Sequence, residues 1–234
     1  MRWRTGLASP AGHLAGFSAE GQFAKRRLPH DFSARSEFQK RALDLVIAGI
    51  AIVLLSPVLV LLTMAIRITS PGPALFRQVR YGRHNVPFRI LKFRTMYVDQ
   101  EDLTGTHQTC ENDPRVTPLG RFLRRTNLDE LPQLLNVLRG EMSLVGPRAH
   151  VPEMLAGGKL YEELVPNYFL RHKIKPGMTG LAQILGYRGS TRDPEAAIAR
   201  IASDLDYIEN WSIGFDLRIL WVTVQREFFG GTGI

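Results

Sequence analysis

The chain is nearly devoid of cysteine. Its single Cys110 excludes an intramolecular disulfide framework and suits a reducing compartment. It also lacks a zinc-binding pattern: His107, Cys110, Glu111 and Asp113 lie close together, but their spacing matches no common ligand set. The most informative absence is local. Residues 45–66 carry no Asp, Glu, Lys or Arg, and those 22 residues, at about 1.5 Å each, would reach about 33 Å as a helix, enough to span a hydrocarbon core. The run begins too far along the chain, and continues too long, for a cleavable signal peptide.

Charge is unevenly placed around this run. Residues 1–41 hold eight Lys or Arg against three acids, and residues 67–100 hold seven against Asp99 alone, whereas residues 101–234 are net acidic by two. A single membrane crossing should show one basic flank, on the cytoplasmic side, and one poor in charge. Here both flanks are basic. The run also contains Ser56-Pro57 at its centre. Proline has no N–H, clashes with the carbonyl four residues back and disfavours helical geometry at the residue before it. In hydrocarbon the freed carbonyl needs a donor, and the Ser56 hydroxyl is the nearest. Two readings stay open from the residues alone: a kinked single span, and a re-entrant helix broken at Ser56-Pro57 with both ends on the cytoplasmic face. The basic flanks favour re-entry.

The sequence pI near 10 raises the question of nucleic acid. A nucleic-acid binder would interleave its basic residues along a soluble domain. Here they bracket the apolar run instead, so no nucleic-acid partner is expected.

The rest of the chain divides readily. Residues 1–37 have no apolar periodicity and read as a flexible basic tail suited to anionic lipid. Residues 67–96 contain turn signals at Ser70 to Pro73 and at Gly82 to Asn85 between short strand-like runs, which predicts a small hairpin. "KPGMTG" at residues 175–180 is either a plain turn or one whose N–H groups face phosphate. Two helical segments are predicted near the C-terminus, separated around Ser212 to Gly214, with Asp216 as cap of the second. Trp211, Trp221, Phe228 and Phe229 suit either a membrane interface or the core.

"RFLRRTNLDELPQLLNVLRGEMSLVGPRAH" carries the chemistry. Leu131, Leu134, Leu135 and Leu138 mark one face of a helix expected over residues 130–138, with Pro132 in its first turn and Asp129 near its N-cap. An acidic pair at that position is ordinarily a cap. Arg121, Arg124 and Arg125 before it and Arg148 after it exceed what a cap needs, and guanidiniums bind phosphate oxygens through paired hydrogen bonds. Adjacent helical positions diverge, so Asp129 and Glu130 should divide their tasks: one faces the reacting phosphorus, the other binds metal or orients the site. Mg²⁺ is the expected cofactor, since it is held by one or two carboxylates together with substrate phosphates.

With "LKFRTM", "KIKPGMTGLAQILGYRG" and "DLDYIENWSIGFDLRIL", these blocks resemble, in order and over residues 38–229, the bacterial sugar transferase family of monotopic phosphoglycosyl transferases. The resemblance implies transfer of a hexose 1-phosphate from a UDP-sugar to polyprenyl (undecaprenyl) phosphate with release of UMP, initiating exopolysaccharide or related glycoconjugate synthesis at the bacterial inner membrane. It implies Asp129 as nucleophile, forming an aspartyl phosphosugar, and Glu130 as its partner, with Glu130 and Asp129 as the candidate metal ligands. Arg124, Arg148 and Arg188 would bind phosphates, with Lys92 and Arg94 as further candidates. It also implies re-entry at Ser56-Pro57, and its closest C-terminal blocks lean toward glucose or galactose. The chain departs from the family pattern at Ala149, where proline is usual after the arginine of "GPR", and at Leu181 and Leu185. Proline would fix the backbone at 149, so a looser Arg148 loop is expected.

The expected architecture is mainly α with a small β element: a basic tail over 1–37, a re-entrant membrane helix over 38–67, and one cytoplasmic-face catalytic domain over 68–234 with interfacial amphipathic helices. Donor, acceptor and membrane lipid are the expected partners, and homo-oligomerisation stays open. The alternative is a non-catalytic membrane-anchored scaffold, which would not need the Asp-Glu pair.

Overall fold

The computed structural model describes residues 33–102, 110, 112–187, 189 and 191–229. The expectations for residues 1–32, His107, Glu111 and Arg188, and for the side chains of Phe228 and Phe229, fall outside them.

Helix α1 runs from Ala34 to Thr69, 36 residues, and the Ser33 hydroxyl accepts the Ser36 N–H at its start. It begins four residues ahead of the expected boundary and continues through Ser56-Pro57, where an interruption was expected. A single hydrogen bond explains the continuity. Pro57 cannot donate to the Val53 carbonyl, and the Ser56 hydroxyl donates to that same carbonyl instead, at 2.8 Å.

One face of α1 packs on the rest of the protein. Ile47, Ala48, Ala51, Ile52 and Leu55 meet the main hydrophobic cluster, and Leu59, Leu62 and Ile66 meet a second, smaller one. These spacings of three and four define a single stripe. The outward face is just as apolar: Val46, Ile50, Val53, Leu54, Leu61 and Met64 are exposed. Both ends are fastened to the same body. Lys40 Nζ donates to Val145 O at 3.0 Å and pairs with Asp216 at 2.7 Å, while Asp44 accepts from Ser143 Oγ and Leu144 N–H. At the other end, Arg94 donates to the carbonyls of Ser70 and Pro71, each at 2.6 Å.

The hairpin forms as predicted: β1 (Leu75–Tyr81) pairs antiparallel with β2 (Pro87–Phe93), from Leu75 opposite Phe93 to Tyr81 opposite Pro87. Helix α2 (Pro118–Arg125) follows, with Thr117 as cap and Pro118 at its first position, where a missing N–H costs nothing. Next come a 3₁₀ turn at Leu128–Glu130 and helix α3 (Gln133–Arg139), which ends on left-handed Gly140.

Strand β3 (Ser143–Val145) leads into "GPR" and pairs in parallel with β6 (Gly177–Thr179). Between them lie the short β4 (Leu155–Ala156) and β5 (Lys159–Leu160), helix α4 (Tyr161–Leu164) and a 3₁₀ segment at Tyr168–Lys173. Helices α5 (Leu181–Ile184), α6 (Pro194–Glu209) and α7 (Ile213–Phe229) follow, and the described residues are mostly helical with three two-stranded sheets. The two C-terminal segments are therefore present. Ser212, however, caps the second through the Phe215 N–H, and Asp216 does not. The Asp216 carboxylate instead accepts from Lys40, from Tyr207 OH at 2.7 Å and from Trp211 Nε1 at 3.1 Å, tying α7 to the start of α1. Trp211 packs against the core, whereas Trp221 is exposed.

Candidate active site

The helix expected over residues 130–138 begins later. Asn127 takes a left-handed conformation (φ 54°) and turns the chain into the 3₁₀ segment that presents Asp129 and Glu130; Pro132 then precedes the first residue of α3. Pro132 has no N–H to give, so one of the early unsatisfied donors of the helix is removed and α3 can start directly behind the acidic pair. Asp129 therefore sits inside a tight turn and is not an N-cap.

The two carboxylates are in different surroundings. Glu130 Oε1 accepts from Lys92 Nζ at 2.7 Å and from Arg148 at 2.6 Å, and Oε2 has a longer contact with Arg148 at 3.3 Å. Burial would raise its pKa, but the two cations and their hydrogen bonds outweigh burial and hold the Glu130 carboxyl well below the usual range. Asp129 is 8% exposed, and among the described residues no group hydrogen bonds its carboxylate. Burial pushes its pKa up to about 6, with neighbouring Glu130 adding to the rise and Lys92, Arg124 and Arg148 opposing it. The pair thus combines a fixed anion with a carboxylate that titrates just below neutrality.

Arg124 lies close enough to Asp129 to act on it through charge, and its Nε donates to Thr95 Oγ1 at 2.8 Å. Lys92, the weaker candidate in the sequence, reaches the pair directly. Arg94 does not. It is 2% exposed, and its Nη1 and Nη2 donate to the carbonyls of Pro71, Ser70 and Ile66, closing the C-terminus of α1. Arg94 lies one residue beyond β2, with its N–H still bonded to the Ala74 carbonyl at 2.8 Å beside the end of α1.

The Arg148 loop is fixed despite Ala149. Four successive carbonyls are captured: Pro147 by Gly177 N–H at 2.9 Å, Arg148 by Arg171 at 2.6 Å, Ala149 by Arg80 at 3.2 Å, and His150 by Tyr81 N–H at 2.9 Å. Rigidity that a second proline would supply through its ring comes here from tertiary hydrogen bonds. This also settles the role of the Gly177 N–H in "KPGMTG": it holds the loop. A Cβ at Gly177 would collide with the Gly146 backbone, so the close approach requires glycine. Arg171 is itself buried against Asp204, at 2.8 Å.

Sequence reasoning missed these supporting residues, and it missed Asn136. That side chain is fully buried; its Oδ1 accepts from Leu91 N–H at 2.9 Å and its Nδ2 donates to Arg89 O at 2.8 Å, stapling α3 to β2 and thus the Asp-Glu turn to Lys92. The available signal was an asparagine in an otherwise apolar "LLNVL" stripe.

Among the described residues no group of three or more metal-ligating side chains occurs. Mg²⁺ held by one carboxylate together with substrate phosphates needs no such group. Glu130 Oε2, the less engaged oxygen, fits that demand.

The described residues thus combine a mostly helical domain, an apolar helix long enough to cross a membrane, and an acidic pair flanked by Lys92, Arg124 and Arg148. Residues 35–230 match the family described as bacterial sugar transferase, and the chain belongs to that family. It is 53% identical over 194 residues to the exopolysaccharide production protein PSS of Rhizobium leguminosarum bv. phaseoli, covering 83% of this chain and 97% of that protein. It is 50% identical to the UDP-glucose:undecaprenyl-phosphate glucose-1-phosphate transferase of Escherichia coli K12, covering 81% of this chain and 40% of that protein. An enzyme of the same name from Caulobacter vibrioides is also 50% identical, covering 80% of this chain and 69% of the relative. The chain therefore spans nearly the whole of the first relative and about two fifths of the second.

Proposed function

We propose that the protein transfers glucose 1-phosphate from UDP-glucose to undecaprenyl phosphate, releasing UMP, as the initiating step of exopolysaccharide synthesis. The observation that carries this reading is the contrast within the acidic pair: a buried Asp129 with no hydrogen-bond partner among the described residues, beside a Glu130 pinned by two cations. The donor and acceptor are those named for the relatives at about half identity.

In the first step an ionised Asp129 oxygen attacks the sugar-bearing phosphorus. A carboxylate–phosphorus bond forms, the bond to the bridging oxygen breaks, and UMP leaves with that electron pair. In the second, an oxygen of the lipid phosphate attacks the same phosphorus and the Asp129 carboxylate is released. Sequential use of one site suits two anionic substrates that would repel each other. Arg148 and Lys92 neutralise phosphate charge when donor displaces part of their bonding to Glu130, and Arg124 lowers the pKa of Asp129 toward the reactive anion. Mg²⁺ held by Glu130 would offset charge on the diphosphate and leaving UMP.

Membrane attachment from one face is the reading supported by the fastening of both ends of α1 to the same domain, with its outward apolar face left for lipid. This supports a monotopic arrangement with the domain on the cytoplasmic side, as the basic flanks favour.

UMP release from a panel of UDP-sugars, measured in nanodiscs with undecaprenyl phosphate and Mg²⁺, tests the reading. Release with UDP-glucose, lost in Asp129→Asn, is expected. A folded protein that releases no UMP from any donor would return the scaffold alternative.

A further inference from the structure

Beside the smaller hydrophobic cluster lies a groove of about 570 Å³, lined by Ile52, Leu59 and Thr63 of α1 and by Leu131, Pro132 and Leu135. Leu131 and Pro132 follow Asp129-Glu130 directly in the chain, so the residues next to the acidic turn build part of the groove wall. Its other side belongs to the helix whose outward face is apolar from Val46 to Met64. The groove thus borders both a lipid-compatible surface and the residues that immediately follow the acidic pair.

Its charge is equally specific. The exposed Arg67 and Arg77 also line the groove, against one acid, Glu101. Apolar walls with a net positive margin match a ligand that has a long hydrocarbon chain and an anionic head. A nucleotide sugar, polar throughout, matches neither wall.

We propose that this groove binds the phosphate-proximal part of the acceptor's polyprenyl chain, placing its phosphate at the Asp129 end while the remaining chain leaves along α1 into the bilayer. The inference rests on the transferase reading above and gives the acceptor's hydrocarbon chain a seat of its own, while its phosphate uses the Asp129 centre after the donor. Chain length then becomes a determinant of acceptor affinity, and groove residues should leave the first half-reaction untouched.

Thr63→Trp and Leu135→Trp would fill the groove without altering a residue of the acidic site. In nanodiscs three quantities are compared with the unmodified protein: the acceptor-independent UMP burst, the KM for undecaprenyl phosphate, and the KM for a short, water-soluble isoprenyl phosphate. The KM for the long acceptor should rise about tenfold or more, with the burst and the short-acceptor KM unchanged. Unchanged long-acceptor KM in both variants, or equal loss with both acceptors, would overturn the assignment. A photoreactive isoprenyl phosphate on the unmodified protein guards against misfolded variants: adducts are expected at residues 52–63 and 131–135. Adducts confined to the outward face of α1 would equally overturn it. Absence of any UMP from the unmodified protein would defeat the transferase reading itself, an outcome distinct from a normal burst with unaltered acceptor dependence.

Discussion

The floor of the site around Glu130 and the seat of Asp129 beside it differ in one respect that accounts for the rest: pairing. Around Glu130 two cations are already in place, Lys92 at 2.7 Å and Arg148 at 2.6 Å, so its charge is fixed and its position determined. Around Asp129 the same cations act only at longer range, burial dominates, and the pKa rises to about 6. Two carboxylates one residue apart thereby acquire separate tasks. The pinned one organises positive charge for phosphate, and the unpinned one keeps an oxygen with enough basicity to form a bond.

The largest effect should come from removing that oxygen. Asp129→Asn should lower UMP release on the order of 10⁴-fold with the fold intact by circular dichroism; activity within a factor of a few would erase the distinction between the two carboxylates. Next in size, Glu130→Gln should reduce turnover about 10²–10³-fold, because Lys92 and Arg148 lose the anion that positions them. Here Mg²⁺ titration sharpens the comparison: a raised requirement for the ion is expected in this variant and not in Asp129→Asn.

The pH profile offers a smaller but more discriminating effect. Asp129 attacks only when ionised, so the burst rate should fall as pH drops through about 6, approaching tenfold per unit below it. Lys92→Met removes the strongest charge that lowers this pKa, and the acid limb should move to higher pH; a midpoint that stayed or moved lower would contradict the assignment. Smallest in activity is Arg94→Met. It should cost about 2–3 kcal/mol of stability by orphaning buried carbonyls at the end of α1, seen as a lower unfolding midpoint, while the pH midpoint of the remaining activity stays put. The opposite behaviour of Lys92 and Arg94, two residues apart, separates site from scaffold.

Much of this was legible in the chain. The apolar helix, the hairpin, the acidic pair among arginines and the two C-terminal helices all rest on local signals: absence of charge, turn residues, spacing of leucines. The continuity of α1 was not predicted, although its cause was. The Ser56 hydroxyl was identified as the donor for the freed carbonyl, and that bond is what allows the helix to run on. Ala149 shows the converse. A local rule predicted a looser loop, and hydrogen bonds from Gly177, Arg171, Arg80 and Tyr81, distant in sequence, made it firm.

By itself the sequence determined the class of chemistry and the membrane-seeking helix, because residue type and spacing along one chain suffice for both. Only the tertiary structure decided which cations serve the acidic pair. Lys92 and Arg94 carry the same charge within one short motif, and nothing local separates them. Packing of β2 against α3 through Asn136 brings Lys92 to Glu130, while Arg94, just beyond β2, bonds the carbonyls at the end of α1. Electrostatic roles depend on distances of a few ångströms between residues far apart in the chain, and those distances exist only once the core has formed.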